Sequence, residues 1–198
     1  LDSSISLFQK SYLKNLINYN KVLKQRNSLL KQFSERNYFD EITLENFNNQ
    51  LVLFGNEIHS QRQSFLELLT PVFNKYYQEI SSANETVNLS YRSQLNDGSF
   101  DSLLNDGLVK DRISHHTSVG IHKDDILFEM NGYPVKKIGS QGQQKSFLIS
   151  LKLAQFDFIT DKLGFKPILL LDDIFDKLDD NRVEQLISFT SKGMFSQV

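Results

Sequence analysis

Two apolar stripes constrain the first part of the chain more than any other feature. Tyr12, Leu16, Tyr19, Leu23, Leu30 and Phe33 recur at alternating steps of four and three once Arg26 is counted in the stripe. Leu44, Phe47, Leu51, Phe54, Ile58, Phe65, Leu68 and Val72 repeat the pattern, with Gln61 as the polar member. Such spacing keeps side chains on one face of a helix, so each stripe is a seam that has to be covered. Two seams joined by roughly nine residues predict an antiparallel helical hairpin in which each covers the other. Thr43 is placed to cap the second helix. Pro71, which has no N–H, is expected to kink or interrupt it.

Beyond the hairpin the periodicity changes from helix to strand. Val87, Leu89 and Tyr91 alternate as a half-buried strand requires, and so do Ile126, Phe128 and Met130. Asn131-Gly132 then predicts a two-residue hairpin turn, and Pro134 places the return strand at a sheet edge. The region between the hairpin and residue 139 therefore reads as a region of strands. Residues 1–82 form a helical arm in this reading and residues 83–198 an α/β part.

Three further elements stand in order along that second part. Gly139-Ser140-Gln141-Gly142-Gln143-Gln144-Lys145 puts a hydroxyl and a flexible glycine where a helix begins, with Gln143 to Leu163 as its body and Gly164 as its stop. Leu148, Leu151, Phe158 and Ile159 are among the apolar positions of that body. A helix end of this kind presents free N–H groups and the positive end of the dipole, which attract phosphate. An ordinary N-cap has the same composition. After Pro167, the run Ile168 to Leu171 suits a strand buried on both faces, and Asp172 and Asp173 follow it directly. Asp176-Lys177-Leu178-Asp179 comes next, where Asp179 or Asp180 serves equally as the cap of a helix over 182–190 that ends near Gly193. A G-x-x-x-x-G-K-[ST] loop, the backbone cradle for nucleotide phosphates, occurs nowhere in the 198 residues.

In this order the elements look like half of an ATPase head, and the chain resembles the C-terminal part of the RecF family, bacterial recombination-mediator ATPases related to chromosome-maintenance and ABC-type heads. The likeness extends to Leu1-Asp2 with Lys24-Gln25-Arg26-Asn27 and Leu29-Leu30-Lys31, to Leu153-Ala154-Gln155, and to Gly120-Ile121-His122-Lys123-Asp124-Asp125, which matches the family's Gly-Pro-His-Arg-Asp-Asp box. Ile121 stands where the family usually has Pro, Lys123 where it has Arg, and Asp176 where it has Ser. ABC transporter subunits fit less well, because they favour Ser-Gly-Gly-Gln and lack a long helical insertion.

The resemblance implies an α+β fold with an α/β core: part of an ABC/SMC-type P-loop ATPase head without its N-terminal lobe, carrying a helical-hairpin subdomain. It implies that Ser140, Gln141, Gly142, Gln143 and Lys145 meet ATP held by a second copy. Asp172 would hold Mg²⁺ through water, Asp173 would polarise the attacking water, and Asp176, Leu178 and Asp179 would form the loop that links the two sites. The complete protein is expected to be a weak DNA-stimulated ATPase using ATP and Mg²⁺, while these residues alone bind neither tightly and hydrolyse nothing. Its expected work is to clamp duplex DNA at single-strand gaps and help load the recombinase, with a RecR-type mediator, in the cytoplasm at the nucleoid. For His122, Lys123, Asp124 and Asp125 it implies lobe-to-lobe or DNA-linked contacts.

Charge separates the two parts. The net charge of −2 excludes a globally basic nucleic-acid binder, yet residues 1–37 hold seven Lys and Arg against Asp2 and Glu35, which leaves +5 there and −7 elsewhere. Lys14, Lys21, Lys24, Arg26 and Lys31, with Lys10 and Arg36, are thus either a DNA-backbone face or the solvated flank of a coiled coil. No apolar run approaches the ~18 residues of a membrane span. The absence of Cys excludes disulfides and thiolate metal sites. His115, His116 and His122 beside Asp124 and Asp125 do not have the spacing of a metal site. The competing reading is a non-enzymatic module whose helical arm binds a partner, or another SMC/ABC-type head.

Overall fold

In the computed structural model, which describes residues 1–81, 85–170, 174 and 176–191, the chain groups into two compact units. One holds residues 1–64 and 91–125, the other residues 65–90 and 126–198.

The first unit is built on the predicted hairpin. A short helix α1 (Asp2–Phe8) precedes α2 (Lys10–Arg36), which ends where Asn37 turns into the left-handed region at φ 49° and returns its N–H to the last turn. The long helix α3 (Glu41–Ser81) follows, and its residues up to 64 belong here. Asp40 caps α3, accepting from Thr43 N–H at 3.0 Å and from the Thr43 hydroxyl. The cap is therefore Asp40 and not Thr43, because a carboxylate three residues back reaches the open N–H groups that Thr43, already inside the helix, cannot.

Contacts between α2 and α3 advance in steps of seven in opposite directions. Tyr12 meets Arg62, Tyr19 lies against Gly55, and Arg26 meets Asn48. This is the signature of an antiparallel heptad pair. Gly55 is required by it, since a Cβ there would stand 2.5 Å from the Phe100 ring and 3.3 Å from Tyr19. Tyr12, Tyr19, Leu30, Leu51 and Ile58 are fully buried, each worth about 1.5–3 kcal/mol of apolar transfer.

The α3 seam differs from the sequence expectation by one residue in alternate turns. Leu44, Leu51, Ile58 and Phe65 are buried as predicted, but their companions are Asn48, Gly55, Arg62 and Leu69. Phe47 and Phe54 are only half-buried, and Leu68 is exposed. Apolar side chains gave way because two arginines, Arg26 and Arg62, are buried in this interface with their hydrogen-bonding partners.

Residues 93–124, expected as strand and loop, instead contain α4 (Phe100–Asp106) and α5 (Leu108–Ser114). Ser99 caps α4 by accepting from Ser102 N–H at 3.2 Å.

In the second unit, α3 continues from 65 to 81 without interruption at Pro71, so the expected break does not occur. Apolar residues before and after the proline are buried, among them Leu66, Leu69, Phe73, Tyr76, Tyr77 and Ile80, and their burial outweighs a cost of about 3 kcal/mol for an interior proline. β1 (Val87–Arg92) neighbours β2 (Asp125–Met130), which pairs antiparallel with β3 (Tyr133–Pro134) in the order β1-β2-β3. Asn131 at φ 50° and Gly132 at φ 79° form the predicted two-residue turn, and Pro134 lies on the edge strand. A short helix α6 (Val135–Ile138) leads to α7 (Gln141–Leu163), which Gly164 stops at φ 73°. α7 buries Phe147, Ile149, Leu153, Ala154, Phe156 and Phe158, whereas Leu148 is exposed. The Phe147 ring lies tilted against Phe73 with centroids 4.7 Å apart, and Phe158 meets Phe65 edge to face at 4.8 Å. The last described helix is α8 (Asp180–Ser191), and Gly193 lies outside the described residues.

The apolar run after Pro167 departs from the reading. Leu171 lies outside the described residues; of the other three, Ile168 is 66% and Leu170 86% exposed, Leu169 is buried, and residues 168–170 adopt no strand. A strand buried on both faces needs neighbours to complete its ladder, and among the described residues none pairs with it.

Candidate functional site

The N-terminus of α7 is closed by a complete capping box. Ser140 Oγ accepts from Gln143 N–H at 3.2 Å, and Ser140 N–H donates to Gln143 Oε1 at 2.7 Å. Gln144 N–H is taken by the Ser140 carbonyl at 2.9 Å. The N–H groups of Gln141 and Gly142 are left with no acceptor among the described residues, at an end whose first turn carries no acidic side chain. Ser140 and Gln141 are exposed, and Lys145 is half-buried one turn on. Two open N–H groups and the positive end of the helix dipole make this end suited to an anion.

A polar cluster fixes that helix end from behind. Gln143 Nε2 donates to Glu85 Oε1 at 2.8 Å, and Arg182 of α8 donates to the same oxygen at 3.1 Å and to Ser146 Oγ at 2.8 Å. Tyr77 donates to the other oxygen of Glu85. Burial alone would raise the Glu85 carboxyl, but hydrogen bonds from Tyr77 and Gln143 and the Arg182 charge outweigh it and hold the group below its ordinary value. Arg182 also bonds Asp179 at 3.1 Å, and Asp179 accepts from Arg182 N–H at 2.9 Å, so Asp179 is the cap of α8. The loop before it presses against the turn that opens α7: a Cβ on Gly142 would stand 2.9 Å from the Lys177 carbonyl. Asp176 is exposed and Leu178 half-buried, with Lys177 held at φ 62°. Asp172 and Asp173 lie outside the described residues.

The Gly120–Asp125 box, in the first unit, divides into buried and exposed members. Gly120 adopts φ 120° where a Cβ would meet Tyr19 Oη and the Phe100 ring, each at 2.6 Å. His122 Nδ1 lies 2.9 Å from Tyr19 Oη and its Nε2 3.0 Å from the Thr117 carbonyl. A carbonyl only accepts, so Nε2 carries the proton and Nδ1 accepts from the phenol. Burial and the Lys123 charge push the imidazole pKa below its ordinary value, against the Thr117 hydrogen bond. Asp124 is paired with Arg62 at 3.1 Å and accepts from Tyr91, while Arg62 also holds Asp2 at 2.9 Å. Lys123 and Asp125 are exposed, and Asp125 pairs with Arg92 at 3.1 Å.

Of the basic residues proposed as one face, Lys14, Lys21, Lys24 and Lys31 are exposed. Arg26 is not among them. Its guanidinium is completely buried, 2.7 Å from Asp111, 2.8 Å from Thr117 Oγ1 and 2.7 Å from Asn48 Oδ1. A cation inside a seam is committed to desolvated partners and cannot reach a DNA phosphate. Sequence spacing placed Arg26 in the seam; only its partners, far away in sequence, reveal why a charge is tolerated there.

No protein-family model matches the chain. A solved structure described as the recombination mediator protein RecF-ATP in the RecFOR pathway superposes with a TM-score of 0.86 at 33% identity, over 99% of this chain and 54% of that one. The RecF-ATPrS counterpart gives 0.85 at 34% identity, over 100% and 55%. The fold is thus that of part of an ATPase head of the ABC/SMC type. Curated proteins named DNA replication and repair protein RecF match the whole chain, at 50% identity from Flavobacterium johnsoniae, 46% from Parabacteroides distasonis and 41% from Cytophaga hutchinsonii. The chain belongs to the RecF family. It spans about half the length of these relatives, 52–55%.

Proposed function

We propose that the chain is the signature-bearing part of an ATP-gated DNA clamp acting in recombinational repair. The observation that carries this reading is the α7 end, where an exposed Ser140 and two N–H groups without a described acceptor stand in a first turn that carries no acidic side chain. ATP held on a second copy supplies the γ-phosphate anion that such an end accepts. Ser140, Gln141 and Gly142 bind it, Gln143 holds the turn in shape, and Lys145 adds positive charge one turn behind. Asp172 is the residue that would hold Mg²⁺ through water, Asp173 orients the attacking water, and the loop of Asp176, Leu178 and Asp179 links the two copies. Closure brings Lys14, Lys21, Lys24 and Lys31 of two arms onto duplex DNA beside a single-strand gap. There a RecR-type mediator joins and the recombinase is loaded, at the nucleoid in the cytoplasm.

Sedimentation of the full-length protein with and without ATP tests the reading. ATP is expected to dimerise the native protein and leave Ser140→Arg monomeric, because a guanidinium at the cap opposes the phosphate sterically and breaks the capping box. A native protein that stays monomeric with ATP removes the gate.

A further inference from the structure

The buried half of the Gly120–Asp125 box has no outward chemistry of its own, but it props one wall of a surface groove in the first unit. The groove encloses about 530 Å³ and is lined by Arg92, Lys110, Lys123 and His116, with Gln94 and short hydroxyl side chains between them. None of its lining residues is acidic. In a chain of net charge −2 this is a local concentration of cations. Lys110 and Lys123 have no carboxylate partner among the described residues, and Arg92 has only the exposed pair with Asp125, of a kind worth about 0.2–1 kcal/mol and readily exchanged.

The wall is rigid where it matters. Thr117 donates through its N–H and its hydroxyl to Asn27 Oδ1 at 2.8 and 2.7 Å, and its carbonyl receives His122 Nε2 at 3.0 Å. Ser118 N–H donates to Asp111 at 2.8 Å, and Gly120 N–H to Gln94 at 3.2 Å. Asp111 is in turn held by the buried Arg26. The segment 117–120 is therefore tied to α2 and α5 before any ligand arrives, so the backbone of the groove wall needs no ordering and only the cationic side chains lose rotamer freedom on binding.

We infer that this groove is a phosphate-binding site for a nucleic-acid backbone, in which Lys110, Lys123 and Arg92 take successive phosphates while His122 acts as the positioning residue behind them. The inference rests on nucleic acid being the partner of the proposed function, but it names a surface separate from the α2 lysines. It gives the box two jobs: Lys123 contacts, and His122 holds the wall.

The test is fluorescence anisotropy of a labelled 30-bp duplex with the full-length protein across a salt series, for the native chain, for Lys110→Glu/Lys123→Glu and for Lys110→Arg/Lys123→Arg. The Glu pair is expected to weaken binding roughly tenfold or more and to reduce the slope of log K against log salt by about 2, near 0.9 per lost phosphate contact. The Arg pair should bind as the native protein does, since arginine also pairs with phosphate. An unchanged slope in a Glu variant with native circular dichroism overturns the groove while leaving the clamp reading intact. A native protein that binds no duplex overturns both. Titration with inorganic phosphate alone completes the test: saturation that the Glu pair abolishes, with duplex binding untouched, identifies a free-anion site and also overturns the inference.

Discussion

Gln143 Nε2 donates to Glu85 Oε1 at 2.8 Å while the same side chain's Oε1 closes the capping box on Ser140. The turn that opens α7 is thus held from both sides by a single glutamine, and through Glu85 it is linked to Arg182 and the cap of α8.

Glu85→Ala removes the acceptor shared by Tyr77, Gln143 and Arg182 and leaves the mostly buried Arg182 without that partner. A loss of about 2 kcal/mol is expected, the scale of a hydrogen bond to a charged group, read from the urea midpoint. The native protein should show a matching pH dependence. The folded-state pKa of Glu85 is depressed, so its contribution is present above the ordinary carboxylate value of 4.5 and is lost as pH falls through the folded value. In Glu85→Ala this acid-side component should vanish.

Arg26 and Asp111 form an ion pair with neither side chain exposed. Asp111→Ala strands the guanidinium in the seam and should cost about 3–5 kcal/mol, whereas replacing both residues by apolar ones of similar volume should restore part of the loss. Chemical denaturation of the single and double variants measures both.

Changing Lys21, Lys24 and Lys31 together to Glu should leave the fold intact, because all three are exposed. Duplex affinity of the full-length protein should fall, with a shallower salt dependence. Native affinity and slope in the triple variant would remove this face from the clamp.

His122 should titrate below its ordinary 6.5 in an NMR pH series, since burial favours the neutral ring that accepts from Tyr19. The folded state binds fewer protons than the unfolded one, so this stabilisation is complete above 6.5 and is lost as pH falls through the folded value. Protection factors of the amides over residues 117–122, exchange rates relative to the intrinsic rate at each pH, should fall in that acid window in the native protein and not in His122→Gln.

Local patterns carried much of this structure. Alternating steps of four and three gave the helical hairpin, Asn131-Gly132 the turn between β2 and β3, Ser140 an N-cap, and Gly164 a helix stop, because each depends on residues within one or two turns. The order of motifs was enough to reach the family. Tertiary structure decided the rest, for one physical reason: a buried charge is stable only where distant partners desolvate with it. Spacing puts Arg26 in the seam, but what balances its charge appears only when Asp111 and Thr117 are brought to it, and Arg62, in place of Gln61, is buried where Asp2 and Asp124 meet it. The same dependence on remote partners left Ile168 and Leu170 exposed where an apolar run alone predicted a buried strand.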